Sequence, residues 1–232
     1  ARMKFESFIR EFIEREGYKL LLEGLKNTAL IAVFGLLIGL AIGSLIAVVK
    51  LAPVKGAAFA VLKGIGNVYV AVFRGTPIVV QLLLTHYVLF PLLGINLSPL
   101  TEGIITFGMN SGAYVSEIMR SGILSVDVGQ TEAGRCMGLS YSKTMLKIVL
   151  PQAIKNILPT LGNEFISLIK ETSVVSFITV TDIYKAFQSI ANSTYEYVVP
   201  YLMLALVYLV LVLLITCLVK LLERRLRASD KR

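Results

Sequence analysis

Residues 163–173 form a polar segment within an otherwise apolar part of the chain, and its side chains could bind a charged ligand. Glu164 and Glu171 are seven residues apart, so on a helix they share one face, with Ser167 between them. A carboxylate in a dry setting pairs with an ammonium or guanidinium group, and Asn163 could assist Glu164 in this pairing. The alternative is that Glu164 makes a hydrogen bond to a neighbouring helix.

A second candidate group surrounds residues 73–77, where a charge, a glycine and a proline lie together beside an apolar run. One interpretation is a helix discontinuity at membrane depth, which is tolerated where it faces protein or a water-filled cavity. The other is a simple helix start, with Thr76 as cap, Pro77 in the first turn and Arg74 among lipid headgroups. Arg74 is a possible partner for a carboxylate, with Thr76 and Gln81 as polar neighbours.

Residues for catalysis or metal binding are scarce. Cys136, Cys217 and the single histidine, His86, do not have zinc-site spacing, and we expect both cysteines to be free thiols. No nucleophile–base pairing or phosphate-binding loop is recognisable. We therefore expect no metal site, no cofactor and no enzymatic activity of this chain on its own.

The composition requires a lipid environment for the elements that position these residues. The 232 residues are 56% hydrophobic and only 16% charged, and the mean hydropathy is +0.76. One core of this size cannot hide so many apolar side chains, and uncharged stretches are long enough to cross a bilayer. The sequence predicts an all-α, multi-pass membrane protein, with residues 1–232 as a single transmembrane domain. Its five predicted transmembrane helices occupy residues 28–49, 75–90, 98–120, 151–172 and 197–219.

Lysine and arginine determine the predicted orientation, because they concentrate in cytoplasmic loops. One face collects most of them: Lys50, Lys55 and Lys63 after the first span, Arg120, Arg135, Lys143, Lys147 and Lys155 around the third connection, and Lys220, Arg224, Arg225, Arg227, Lys231 and Arg232 in the tail. We expect this face to be cytoplasmic, so that with five spans the N-terminus lies outside. Asp182 then falls in an outer connection, where it would guide a cationic ligand or contact a partner.

Two further patterns concern packing. Residues 1–26 are predicted to form an amphipathic helix, because Phe5, Phe8, Ile9, Phe12 and Ile13 follow one helical face. It would lie in the membrane interface or, alternatively, pack on a partner subunit. Glycines repeat every fourth residue at Gly35, Gly39 and Gly43, which predicts a close helix–helix seam and, less directly, a flexible pore lining.

The long charged loop, residues 121–150, predicts two short helices separated by Gly138, with Pro151 starting the next helix. Here the chain resembles the permeases of ABC importers: Glu132-Ala133-Gly134, Gly138 and Ile148-x-Leu150-Pro151 are similar to their Glu-Ala-Ala loop, although Gly134 stands where alanine is commonest. Residues 73–77 with Gln81-Leu82, Ala113-Tyr114-x-x-Glu117-Ile118 with Arg120, and residues 170–173 are similar to the branch that carries polar amino acids such as histidine, glutamine, glutamate, arginine and opines.

The resemblance implies a mechanism and a set of partners. Two permease subunits, identical or paralogous, would form the path, an extracytoplasmic binding protein would deliver the amino acid, and a separate ATPase subunit would bind ATP and Mg. Each permease would insert a coupling helix into a groove of the ATPase and switch between inward- and outward-facing states. The coupling positions that it implies here are Gln130, Glu132, Ala133, Gly138 and Pro151.

The substrate follows from the polar residues themselves. Glu164, Asn163 and Ser167 would face the side-chain cation, and Arg74, Thr76 and Gln81 the α-carboxylate, so we expect basic amino acids such as arginine, lysine or histidine. A secondary transporter or channel is the rival class, but these commonly have two related halves, and no internal repeat is visible. A passive membrane anchor would not explain the polar segment.

Overall fold

The computed structural model describes residues 2–54 and 56–228, with side chains from residue 5 to residue 225 in those ranges. Part of two predictions lies outside the described residues. For the N-terminal helix this concerns Ala1, and for the basic cytoplasmic face it concerns Lys55, Lys231, Arg232 and the side chain of Arg227. The described residues are helices joined by turns, without a strand.

Ten helices follow one another in this part of the chain, and π-helical or 3-10 turns extend several of them. They are α1 (Arg2–Ile9), α2 (Gly17–Leu51), α3 (Ala57–Gly75), α4 (Ile78–Leu92), α5 (Pro99–Leu124), α6 (Val128–Cys136), α7 (Tyr141–Thr144), α8 (Leu150–Glu171), α9 (Ile183–Thr194) and α10 (Val198–Ala228). The π-helical turns are Arg10–Glu14, Thr85–Leu89 and Met145–Val149, and a 3-10 turn covers Thr172–Ile178.

Three described helices are long and apolar enough to cross a membrane: Gly17–Leu51, Ala57–Gly75 and Val198–Arg225. The first contains the predicted span at residues 28–49, and the third contains all but the first residue of the predicted span at residues 197–219. Helix α5 begins as expected, because Ser98 caps it by accepting a hydrogen bond from the Thr101 backbone and Pro99 occupies the first turn. Helices α5 and α8 are more polar, because they carry the ionisable side chains that the sequence singles out.

Helix α3 is the main departure from the prediction, which treated residues 50–74 as a charged connection. Lys63 lies on this helix, donates to the Ala52 carbonyl and sits over the Phe59 ring. A lysine near a helix end can satisfy its amine in this way while its stem lies along apolar surface. The charges that suggested a loop are therefore compatible with a membrane helix.

The helix is interrupted between α3 and α4, as one of the two interpretations expected. Thr76 and Pro77 are extended, helices lie on both sides, and Thr76 does not cap α4. The prediction of a simple helix start capped by Thr76 is therefore wrong. The reason is that Gly75 ends α3, while Pro77 lacks the backbone donor that would continue the ladder.

The glycine repeat forms the predicted packing seam between α2 and α5. A Cβ atom built on Gly39 would lie 2.7 Å from Ser111 Oγ, and one on Gly43 would lie 2.7 Å from Val115 Cβ. The glycines of α5 face α2 in return, since Gly108 meets Ile38 and Gly112 meets Ile42. Small residues on both helices bring the backbones close, so the repeat serves packing.

The N-terminal segment has a shorter helix than residues 1–26, because the chain turns at Glu16, whose φ is +59°. Residues 17–26 belong to α2. Phe8 is buried in a cluster with Ile183, Phe187 and Ile190, so α1 packs on α9. Phe5 and Ile9 of α1 and Ile13 of the following π-helical turn are exposed.

The loop of residues 121–150 contains the two predicted short helices, α6 and α7, with Gly138 between them at φ +80°. Pro151 lies in the first turn of α8 as expected, but the residues before it are helical as well. Helix α7 runs through the π-helical turn Met145–Val149 directly into α8. A π-turn accommodates a proline that lacks the donor and would crowd the carbonyl of the preceding turn.

Candidate functional site

Two open cavities adjoin one another beside the polar face of α8. The first, about 420 Å³, is lined by Arg74 and its neighbours at the helix break together with Asn110, Tyr114 and Glu171. The second, about 340 Å³, is lined by Thr160, Asn163, Glu164, Ser167 and Ile118, again with Tyr114 and Glu171. The shared residues join the two predicted groups into one site.

Arg74 forms the cationic end of this site. It is exposed at the last turn of α3, and its guanidinium lies 5.4 Å from the centre of the Tyr114 ring on α5. An arginine held over an aromatic ring keeps its donors available at the edge of the guanidinium plane. This geometry suits the recognition of a carboxylate by Arg74.

Gln81 stabilises the interruption between α3 and α4. The sequence had instead predicted that it lies beside a bound ligand as a polar neighbour of Arg74. It is buried, and its amide nitrogen lies 2.8 Å from the Phe73 carbonyl and 2.9 Å from Thr76 Oγ1. Its amide oxygen accepts from Asn110 Nδ2 at 2.9 Å. These bonds replace a backbone donor that Pro77 cannot supply, so Gln81 and Asn110 stabilise the discontinuity.

Glu164 forms the acidic part of the site, and one of its two predicted roles, the interhelical hydrogen bond, is present. Its Oε1 accepts a hydrogen bond from Ser111 Oγ on α5 at 3.0 Å, which is the interhelical bond considered above. Its carboxylate also lines the second cavity with Asn163 and Ser167. One oxygen is thus fixed by α5, while the carboxylate remains on the cavity wall.

Asp182 is not part of this site, contrary to expectation. Its side chain is fully buried and caps α9 by accepting from the backbone N–H groups of Tyr184 and Lys185. Burial raises the pKa of Asp182 to about 6, against the lowering effect of these two bonds. Aspartate is a preferred cap residue, so we assign Asp182 a role in folding the connection that leads into α9.

Tyr114 and Glu171 complete the site but were not among the predicted binding residues. The sequence carried a partial signal for each: Tyr114 lies in the Ala113-Tyr114-x-x-Glu117 pattern, and Glu171 shares a helical face with Glu164. Glu171 is the last residue of α8. Its position in both cavities depends on the approach of α3 and α5 to α8.

The predicted coupling residues lie on or beside α6, at the opposite end of α5 from Ser98. Gln130, Glu132, Ala133, Gly138 and Pro151 are all exposed. Gly134 is buried against α7, where a Cβ atom would lie 2.7 Å from Thr144 Cγ2, which accounts for glycine at this position. The exposed face also includes two large apolar side chains, Val128 and Met137.

An ion-pair network connects this end of the molecule to the long helices. Lys50 Nζ lies 2.9 Å from Glu117 Oε1, and Arg120 Nη2 lies 2.9 Å from Glu117 Oε2. Glu117 thus pairs with Arg120 on its own helix and with Lys50 from α2. Tyr141 in the loop donates to the Leu51 carbonyl at 3.5 Å, so the ends of α2 and α5 and the loop lie together.

Comparisons with known proteins agree with this architecture. The arginine transport system permease protein ArtQ of Bacillus subtilis is 39% identical over 210 residues, covering 90% of this chain and 94% of that protein. GlnP of Rickettsia typhi, named for glutamine transport, is 37% identical over 206 residues, covering 89% and 92%. A crystal structure of an amino acid ABC transporter with histidines superposes with a TM-score of 0.83 at 38% identity, covering 91% of this chain and 96% of the other.

The family model that matches describes the binding-protein-dependent transport system inner membrane component and covers residues 39–228. This range includes both cavities, the helix break and the loop of residues 121–150. The resemblance inferred from the sequence motifs is therefore confirmed. The chain belongs to the family of inner membrane components of binding-protein-dependent transport systems.

Proposed function

We propose that this chain is the permease subunit of an ATP-driven amino-acid importer and that it carries basic amino acids. The observation that carries the proposal is the joined pair of cavities, with Arg74 at one end and Glu164 and Glu171 at the other. The α-carboxylate would bind Arg74, and a side-chain ammonium or guanidinium would pair with Glu164, beside Glu171. The cavities hold two carboxylates, those of Glu164 and Glu171, and one guanidinium, that of Arg74. This excess of negative charge favours a substrate with a cationic side chain over one with a neutral side chain.

The names of the relatives support an amino-acid substrate and leave its side chain open, since one is named for arginine and another for glutamine. The choice between them rests on the acidic residues in the cavity. A charged pair in a site shielded from water contributes more than the same pair in solution, although removing one partner leaves the other charge buried.

Two variants separate substrate pairing from interhelical bonding. Glu164→Gln removes the charge but keeps an oxygen that can accept from Ser111, whereas Ser111→Ala removes the bond and keeps the carboxylate. With the complete transporter in liposomes, we expect Glu164→Gln to lower arginine uptake at least tenfold, equivalent to about 1.4 kcal/mol, and Ser111→Ala to lower it much less. Equal effects of the two variants, or arginine uptake that is insensitive to Glu164→Gln, would refute the pairing.

We further propose the arrangement of the subunits. A second permease, identical or paralogous, completes the path, an extracytoplasmic binding protein delivers the substrate, and ATP and Mg bind to a separate ATPase subunit. Helix α6 is the coupling helix, with Glu132 and the exposed Val128 and Met137 as its contact surface. We expect Met137→Ser to reduce co-purification of the ATPase, while Leu97→Ser in the opposite connection leaves it unchanged. Uptake driven by a proton or sodium gradient without ATP would contradict the arrangement.

The proposed topology has residues 1–232 as a single permease domain with five spans, in which α3 and α4 together form the second. The N-terminus lies outside, with α1 on the outer surface, and the C-terminus is cytoplasmic. The contacts among Lys50, Arg120 and Tyr141 support this, because they bring three predicted cytoplasmic segments to one end. An impermeant thiol reagent should label Asn96→Cys, in a Cys136→Ala background, in intact cells. In the chain that retains Cys136, the reagent should label Cys136 only after the cells are opened. The reverse labelling pattern would show that the topology is the opposite of the one proposed.

A further inference from the structure

Asn110, on α5, lines the first cavity and holds its side-chain amide in one orientation. Gln81 Nε2 donates to the carbonyls of Phe73 and Thr76, so the Gln81 amide oxygen is the atom that remains for Asn110. Asn110 Nδ2 accordingly lies 2.9 Å from Gln81 Oε1 and 3.4 Å from the Phe73 carbonyl oxygen. The two donors of Asn110 are thus directed at the helix break, and its acceptor oxygen is directed elsewhere.

The acceptor oxygen of Asn110 is accessible from the cavity and has no partner. Among the described residues, no donor bonds Asn110 Oδ1, and the enclosed side-chain oxygens that lack a partner are those of Thr28 and Tyr208. The side chain of Asn110 is only 3% exposed, so this small accessible part includes Oδ1. A nearly buried amide with an unused acceptor on a cavity wall lacks one hydrogen bond, which a ligand donor can supply.

Further acceptors lie in the same cavity. Arg74 and Gly75 end α3, and their carbonyls receive no hydrogen bond from the part of the chain that the structure describes. The last carbonyls of a helix carry a partial negative charge. Glu171 adds a full negative charge at the end of α8, while Lys170, the residue before it, lines neither cavity. This group of acceptors suits a cation with several N–H donors.

The charges of a basic amino acid match those of the two cavities one for one. Arg74, Glu164 and Glu171 are the charged residues in the described lining, two acids and one base. A basic amino acid carries two cationic groups and one carboxylate. When the carboxylate binds Arg74 and the side-chain cation pairs with Glu164, the α-ammonium group remains for Glu171.

The distances agree with this assignment. The α-nitrogen and the carboxylate carbon are joined through two bonds of about 1.5 Å each, so both groups must bind in one cavity, and the first cavity contains Arg74 together with Asn110 and Glu171. Glu164 lies about 10.5 Å from Glu171 along α8. In extended arginine, six bonds of about 1.27 Å span about 7.6 Å from the α-nitrogen to the guanidinium carbon. A hydrogen bond of about 2.9 Å at each end covers the remainder.

We propose that Glu171, Asn110 Oδ1 and the unbonded carbonyls at the end of α3 bind the α-ammonium group of the substrate. The first cavity then recognises the part that all α-amino acids share, and the second cavity selects the side chain. The inference rests on the proposed function, because it takes the positions of the carboxylate at Arg74 and of the side chain at Glu164 from there.

The test compares L-arginine with 5-guanidinopentanoate, which has the same carboxylate and guanidinium but no α-ammonium group. Isothermal titration calorimetry on the purified complex of the permease with its ATPase, in nanodiscs and without the binding protein, gives a Kd for each ligand. We expect the complex to bind arginine at least about tenfold more tightly than the analogue. Equal affinities would overturn the proposal.

Two matched variants on one face of α8 assign the carboxylates. Glu171→Gln should lower the affinity for arginine at least about tenfold and change the affinity for the analogue by less than about twofold. Retained binding of the analogue also shows that the site is intact. Glu164→Gln should weaken both ligands equally, because both contain the guanidinium. Equal weakening of both ligands by Glu171→Gln would place Glu171 at the side chain and overturn the α-ammonium site.

Two variants of Asn110 separate the contact with the ligand from the support of the helix break. Asn110→Leu and Asn110→Asp both lose the donor that bonds Gln81, but only aspartate keeps an acceptor. Asn110→Leu should lower the preference for arginine over the analogue about fivefold, whereas Asn110→Asp should retain or raise it. The same loss of preference in both variants would show that Asn110 acts through the break alone and would refute its contact with the ligand.

The α-ammonium site and the proposed function can fail separately. If Glu164→Gln affects neither ligand, the pairing of Glu164 with a basic side chain is refuted. A preference for arginine that is lost in Glu171→Gln would still support the α-ammonium site. If Glu164→Gln weakens both ligands and Glu171→Gln leaves the preference unchanged, the α-ammonium site alone is refuted.

Discussion

The seam between α2 and α5 allows a graded test of how closely the helices pack. A Cβ atom on Gly39 would lie 2.7 Å from Ser111 Oγ and 2.8 Å from Ser111 Cβ, whereas one on Gly35 would lie 3.3 Å from Phe107 Cβ. Gly64, on α3, has nothing within 4 Å of the same position. Alanine at these three sites therefore adds one methyl group under decreasing crowding.

The expected free energies of unfolding follow from two opposing effects. Replacing glycine by alanine inside a helix stabilises it by about 0.8–1.0 kcal/mol. Overpacking costs about 1–3 kcal/mol. Gly64→Ala should gain nearly the full propensity effect, Gly35→Ala should be close to neutral, and Gly39→Ala should lose about 1 kcal/mol. For a chain of this length, 1 kcal/mol shifts Tm by about 2–4 °C.

The assay is size-exclusion chromatography of the detergent-solubilised full-length transporter after heating, with the midpoint taken as Tm. The order Gly64→Ala, Gly35→Ala, Gly39→Ala from highest to lowest Tm is the expected result. Arginine uptake should fall in Gly39→Ala as well, because the displaced Ser111 hydroxyl donates to Glu164. If Gly39→Ala raised Tm as much as Gly64→Ala, the inference of a tight seam would be wrong.

The remaining predictions concern a buried charge, an ion pair and a turn. Asp182→Asn keeps a good helix cap and removes the charge. Because the pKa of Asp182 is raised to about 6 in the folded state, the folded protein holds this proton more tightly than the unfolded chain does. The stabilisation by Asp182 is therefore complete below pH 4 and is lost as the pH rises through about 6, by at most about 3 kcal/mol. The fall in Tm between pH 5 and pH 7.5 should therefore be smaller in Asp182→Asn than in the wild type, and an identical fall would exclude this group as its source. A double-mutant cycle with Lys50→Met and Glu117→Gln should give a coupling of about 1 kcal/mol in unfolding experiments, and additive effects would show that the pair contributes nothing. Gly138→Ala should strain the turn after α6 by about 1–2 kcal/mol and reduce substrate-stimulated ATP hydrolysis, with Gly64→Ala as the unaffected control; normal stimulation would mean that the turn tolerates a side chain.

Local patterns in the sequence were sufficient for much of the fold. The glycine repeat predicted the seam, Ser98 and Pro99 predicted the start of α5, and Gly138 predicted the turn in the loop. Each of these rests on a constraint that acts within a few residues, such as the backbone freedom of glycine or the missing donor of proline. The motifs of residues 70–175 also gave the family, because their order and spacing are specific.

Other parts of the prediction failed where a side chain finds its partner far along the sequence. Helix α3 was missed because Lys63 was read as a loop residue, although its amine bonds the Ala52 carbonyl. Asp182 was assigned to the binding site because its exposure was assumed, whereas it is buried as a helix cap. Gln81 was predicted to lie beside a ligand. In the structure its amide donates to the Phe73 carbonyl across the interruption at Pro77 and accepts a hydrogen bond from Asn110.

The sequence by itself determined an all-α membrane protein with a polar segment, a helix break and a loop of two short helices, since hydropathy, glycine spacing and proline act through the local chain and the lipid. Only the tertiary structure decided which polar residues share a cavity. Arg74, Tyr114 and Glu171 come from three helices, and their meeting depends on how α3, α5 and α8 cross. That crossing depends on packing between distant residues, such as glycine against serine in the seam, which no single stretch of sequence specifies.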